Sequence, residues 1–165
     1  MQRVLSYILV SLLLVVVQTT VCKFLTIGTI EPDILILWVV YVALREGQIA
    51  STTAGFILGI TIDLIAGGEG MLGLSALAGS VGGFIAGYFY NENKVFQVLG
   101  SYQFPLLVFA VTLVHNVLYF LIFLQGSGVG WWRTIVVYGF LASLYTAVFG
   151  LLPMFAIARK HRSGS

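Results

Sequence analysis

Residues 4–21 read Val-Leu-Ser-Tyr-Ile-Leu-Val-Ser-Leu-Leu-Leu-Val-Val-Val-Gln-Thr-Thr-Val. No charge interrupts these 18 positions. A helix of that length can cross a hydrocarbon core of about 30 Å. Arg3 precedes the run as it would in a secretory signal. The apolar stretch is long for a signal, however, and no Ala-x-Ala site follows, so a retained anchor helix is expected. Outward from it, apolar segments recur over 34–44 (opened by Pro32), 49–66, 71–90, 104–124 and 131–158. The fold class this predicts is an all-α polytopic membrane protein. It would be a single domain of six transmembrane helices, with spans near 4–21, 32–47, 49–66, 71–90, 104–124 and 131–158.

The composition agrees. Of 165 residues, 59% are hydrophobic and 8% charged, whereas a soluble domain carries about 25% charge. A water-facing surface cannot be assembled from so few charges. That excludes a cytosolic enzyme, a nucleic-acid-binding protein and a disordered regulator, and six spans leave no room for a separate soluble domain. The one cysteine, Cys22, permits no intrachain disulfide and no cysteine-based metal cluster. The residues before it lack the small residue of a lipoprotein signal, so it reads as a buried thiol. With six spans, Arg3, Arg45, Lys94, Arg159, Lys160 and Arg162 share the side of the termini. Only Lys23 and Arg133 lie opposite. The positive-inside bias then makes both termini cytoplasmic. Trp131 and Trp132 beside Arg133 read as interfacial anchors, and the basic tail 159–162 as an orientation signal able to meet anionic lipid.

Span two is short. Its 13 residues from Pro32 to Leu44 rise only about 20 Å, so protein or thinned bilayer must flank it. The apolar stretch 24–30 can dip into the membrane beside it. Pro32 suits a first helical turn, and Asp33 then sits where the helix dipole favours a negative charge. Asp33 can equally be read as a partner contact.

Two stripes recur every four residues: Ser51, Gly55, Gly59 and Asp63, then Ser75, Gly79, Gly83 and Gly87. At that spacing the residues share one helix face. Small residues let helix backbones approach closely in a membrane. Packing within the chain is the simpler reading of the stripes, and a surface kept for a partner is the alternative. Asp63 closes the first stripe near the end of span three. A carboxylate at that depth needs partners. It reads as an acceptor that fixes the 67–70 turn, with a proton or cation site as the alternative. His115 and Asn116 lie midway along span five, with Thr112 and Tyr119 on the same face of the helix. Interhelical hydrogen bonding is expected of them, since no second ligand for a metal stands at that depth. No nucleophile–base pair, phosphate-binding loop or metal-holding acidic motif is visible. The expectation is therefore no enzyme, no catalytic residue, no metal and no cofactor.

The stretch from Pro32 and Asp33 through Arg45-Glu46-Gly47, then Gly55-Phe56-xx-Gly59-xxx-Asp63, then Gly70-xx-Gly73, resembles the bacterial rod shape-determining MreD family. Chain length, span number, Gln18, and Gly83-xxx-Gly87 in span four add to it. The resemblance covers about residues 31–87, and beyond Lys94 only hydropathy matches. Ser51 stands where members often carry another Gly. What the resemblance implies is a non-enzymatic membrane subunit of the rod complex, or elongasome, supporting peptidoglycan synthesis and cell shape in the inner membrane. It would hold the single-span partner MreC, beside RodA and a class B penicillin-binding protein, with MreB on the cytoplasmic side. It also implies a fold similar to the substrate-binding subunits of energy-coupling-factor transporters. That similarity supplies the rival reading: a membrane subunit that takes up a small molecule such as a vitamin. An uptake subunit needs an outward pocket with convergent polar groups and a cap loop, and the outer loops offer few: Glu31, Asp33, Glu69 and Arg133. If a partner helix docks, span one or span two with the loop around Pro32 and Asp33 is the expected groove. In the opposing reading those two residues only cap their own helix.

Overall fold

The computed structural model describes residues 2–28, 30–66, 71–125 and 130–162. The Gly67–Gly70 turn, with Gly70 of the motif, lies outside them. The described chain is helical, apart from an isolated two-residue bridge between Ile27 and Ile30. Helix α1 (Gln2–Phe24) is followed by α2 (Ile34–Glu46), α3 (Gln48–Ile65) and α4 (Leu74–Gly87). After a 3₁₀ turn at Glu92–Lys94 come the short α5 (Val95–Leu99) and then α6 (Gln103–Phe123). The last long element runs without a break through α7 (Trp131–Arg133), a π-helical segment (Thr134–Leu141) and α8 (Ala142–Arg162).

Four stretches are long and apolar enough to cross a membrane: Val4–Phe24, Gln48–Ile65, Gln103–Phe123 and Trp131–Ile157. The chain is a multi-pass membrane protein. The other two apolar helices are shorter, 13 residues in α2 and 14 in α4, or about 20 Å each. The apolar run 71–90 yields a helix only over 74–87. Gly73, at φ +91°, precedes its first turn, and Tyr88 and Phe89 form the turn that ends it. Pro153 does not end the last helix, which continues to Arg162. The connection 91–103, polar in sequence, contains the 3₁₀ turn and α5, whose Val95 and Leu99 are buried.

The short α2 is short because it is interior. It packs against α1, α3, α4, α6 and α8. Leu35, Ile36, Val39, Val40, Ala43 and Leu44 are all buried, and a helix that is apolar on every side belongs inside a bundle. Its ends are built by local chemistry. At the start, the Asp33 carboxylate accepts from Ile36 N at 3.0 Å, a side-chain cap. At the end, Gly47 takes φ +88° and its N–H bonds the Ala43 carbonyl. That left-handed backbone is cheap only for glycine, and it lets α3 begin at once at Gln48, with Tyr90 packed 3.7 Å from where a Cβ would stand.

The closest pair is α3 with α4. A Cβ placed on Gly55, Gly59 or Gly83 would collide with backbone atoms of Gly79, Ser75 or Ser51 respectively, and one on Gly87 with Gln48. Ser51 adds a hydrogen bond across the seam, from Oγ to the Gly83 carbonyl at 2.8 Å. Such close approach replaces the hydrophobic effect, which gives no drive between helices in lipid. Helix α1 is the outer element. Val15 and Cys22 are buried, but Leu5, Leu9, Leu12, Leu13 and Val16 all face outward. Polar clasps hold it to α2: Trp38 Nε1 donates to Ser11 Oγ at 2.9 Å and Tyr7 OH to Glu46 Oε1 at 2.8 Å.

Candidate functional site: a polar cavity at one end of the bundle

Gln18, the amide near the end of α1, organises the segment that enters α2. Its Nε2 donates to the Pro32 carbonyl at 3.1 Å, and its Oε1 accepts from Ile34 N at 2.9 Å. Both ends of the amide are used. The Asp33 N–H is held from the other side by Thr146 Oγ1 on α8, at 3.0 Å. Before this segment, Thr26 donates to the Lys23 carbonyl and to Glu31 Oε1, and Gly28 turns the chain at φ +67°. The backbone of 31–33 is thus clamped between the first and last helices. Pro32 is fully buried.

Behind this segment lies a cavity of about 360 Å³. Its walls come from the second half of α1 (Gln18), the entry to α2 (Glu31, Asp33, Ile36), α3 (Gly55, Gly59, Ile62) and α4 (Ser75, Gly79). Further lining comes from α6 (His115, Asn116, Tyr119, Phe120) and the last helix (Tyr138, Ala142). These are the second halves of α1 and α6, the middle and second half of α3, and the first halves of the helices that follow them. The cavity therefore sits at the end of the bundle opposite the chain termini. Small residues contribute by leaving space: Gly55, Gly59 and Gly79 both close the α3–α4 seam and line the void.

Among the described residues, the ionisable groups on its wall are Glu31, Asp33, His115 and the two tyrosines, with no Lys or Arg. His115 Nε2 stands 3.4 Å from Asp33 Oδ2. The neutral ring then carries its proton on Nε2, since a bare nitrogen facing a carboxylate would repel it. That assignment leaves Nδ1 as an acceptor, and Nδ1 is buried with no hydrogen-bond partner, as is Thr112 Oγ1 on the same helix face. Asn116 Nδ2 reaches Ser143 Oγ at 3.4 Å, which in turn donates to the Gly139 carbonyl. Phe120 and Tyr138 pack with centroids 4.8 Å apart, and Tyr119 stacks with Phe123 at 5.6 Å.

Asp63 is not among the residues that line the cavity. Its carboxylate accepts from Gly73 N at 2.8 Å and from Ser75 N at 3.2 Å. Those are donors at the start of α4 that have no intrahelical partner, so Asp63 caps α4 from the preceding helix. Of the residues singled out from sequence, Gln18, Glu31, Pro32, Asp33, Gly55, Gly59, Ser75, Gly79, His115, Asn116 and Tyr119 come together at the cavity. Gly83 and Gly87 meet α3 further toward the other end, near Ser51 and Gln48, and Gly47 lies beside Tyr90. Phe56 faces outward, 53% exposed. Sequence reasoning gave no role to Tyr138 or Thr146, and it did not pair His115 with Asp33. Gln18 carried a signal, a lone amide near the end of an apolar span.

Among the described residues no group of three or more His, Cys, Asp or Glu side chains is placed to hold a metal ion. Comparisons with protein-family models, with curated proteins and with solved structures find no match.

Proposed function

We propose that this chain is a non-enzymatic scaffold subunit of the rod complex, of the MreD type. In this reading it is a six-span protein of the inner membrane with both termini cytoplasmic. It holds an MreC-like single-span partner and, through it, serves RodA and a class B penicillin-binding protein, with MreB filaments on the inner side. The observation that carries the reading is the work done by the residues of the resemblance. Asp33 caps α2, Gly47 joins α2 to α3, Gly55, Gly59, Gly83 and Gly87 close α3 on α4, and Asp63 caps α4. They build a rigid frame rather than a reactive centre, as a scaffold requires. The partner's place is beside the turn after α1, where Phe24 is 90% and Ile27 67% exposed. Pro32 and Asp33 are occupied by contacts within the chain. A neighbouring helix can cover such a surface where the short α2 leaves the bilayer mismatched.

A second reading, an uptake subunit of the energy-coupling-factor type, is favoured by the polar cavity beneath the 31–33 segment. Isolation of the chain from native membranes separates the two. A single-span coiled-coil protein co-purifying in stoichiometric amount supports the scaffold, and an ATP-binding cassette overturns it. Cysteines at Thr26 and Ile27 should crosslink to the outer part of the partner's helix. Crosslinks confined to α6 and α8 would remove this docking face.

A further inference from the structure

We propose that the cavity is a binding site for a small organic cation, a primary or quaternary ammonium group. It has a built polar wall, an aromatic wall and a net charge of one sign. Glu31, exposed at the rim with Oε1 accepting from Thr26, and Asp33 line it, no Lys or Arg among the described residues does, and its volume is about 360 Å³. That is the low end of ligand pockets, which run from roughly 300 to 1,000 Å³, and it suits an ammonium head rather than a large metabolite. An anion is repelled by the two carboxylates. Asp33 Oδ1 is committed to Ile36 N, while Oδ2 faces the His115 ring at 3.4 Å, a long contact that leaves room for a second donor. A carboxylate oxygen held between membrane helices is stabilised by a counter-charge or water.

Aromatic faces supply the other half of the recognition. Tyr119, Phe120 and Tyr138 line the same void, and ring faces attract ammonium groups once water is excluded. The cavity lies at an end of the bundle, so an ammonium can arrive there as a free amine or as the headgroup of a neighbouring lipid. The inference concerns this cavity alone and holds whether or not a partner helix docks on the chain.

The test uses the purified full-length chain. In detergent, tetramethylammonium and ethanolamine should raise its thermal unfolding midpoint in a saturable way that sodium chloride at equal ionic strength does not reproduce. Asp33→Asn retains a good cap for α2 and should keep the unliganded midpoint while weakening ammonium binding by at least about tenfold. Tyr138→Leu should weaken tetramethylammonium binding without changing the response to salt. Reconstitution in nanodiscs distinguishes the source. If lipid fills the site, discs containing phosphatidylethanolamine should abolish the response to free ethanolamine, and phosphatidylglycerol discs should preserve it. If a free amine is the ligand, both discs should respond alike. Absence of any saturable shift in wild-type protein, or an equal shift in Asp33→Asn, overturns the proposal. Either result leaves the scaffold reading intact, because partner capture is measured separately.

Discussion

Gly79 meets Gly55 backbone to backbone: a Cβ on Gly79 would stand 2.6 Å from the Gly55 carbonyl oxygen. No side chain separates α3 from α4 at that level, and neither helix can move away without opening the seam at Gly59 and Gly83 as well. A bulky side chain here has nowhere to go. Gly79→Leu should cost about 3 kcal/mol or more of stability, while Leu77→Ala, at a position 52% exposed, should stay near wild type, within roughly 0.5 kcal/mol. Folded fraction after heating in detergent, read by size-exclusion chromatography, compares them. Equal tolerance of both substitutions would refute the seam.

The Asp63 carboxylate separates charge from hydrogen bonding. Asp63→Asn keeps an oxygen for Gly73 N and should leave the protein folded. Asp63→Leu strands the N–H groups of Gly73 and Ser75, at about 1–3 kcal/mol for each buried unsatisfied group. If the Asn variant falls as far in melting temperature as the Leu variant, the negative charge itself is needed at the start of α4.

Removing Gln18 should loosen the entry to α2 without disturbing the α3–α4 seam. Gln18→Leu frees the Pro32 carbonyl and the Ile34 N–H together. Hydrogen exchange should rise across 30–36 and stay unchanged across 51–60. Gln18→Glu, which keeps the acceptor for Ile34 N, should show the smaller increase.

The proposed six-span topology, with most basic residues on the side of the termini, has a direct test. Reporter fusions at Asn93 and Ser163 should give cytoplasmic activity, and a fusion at Gly130 should give activity outside. An outside signal at Ser163 would leave an odd number of crossings.

The stripes were legible because helical spacing is local: residues four apart share a face, whatever the rest of the chain does. Gly55, Gly59 and Gly83 needed no long-range information. Asp63 reads from sequence as an acceptor for the 67–70 turn, which lies outside the described residues; the donors described are Gly73 N and Ser75 N at the start of α4. The cavity was not legible. It depends on bringing Asp33 against Thr146, 113 residues away, and against His115, and hydropathy cannot pair helices over that distance. Phe56 shows the opposite limit. It sits inside the most specific stretch of the motif and still faces outward, because its neighbour Gly55 already occupies the seam.

The π-helical segment Thr134–Leu141 sets how the last span tolerates changes in length. Each residue removed from an α-helix rotates everything beyond it by about 100°, so a deletion in α6 would swing Asn116 away from Ser143. A π-segment is a stretch of extra chain absorbed within a helix. Losing one residue from it can be met by a return to α-helical pairing, with Ser143, Thr146 and Met154 kept on their buried face. Insertions and deletions that this protein can accept within a span should therefore gather at 134–141. Their effect would fall on Tyr138, which lies in that segment and lines the cavity, so drift in chain length there would retune the pocket and spare the bundle.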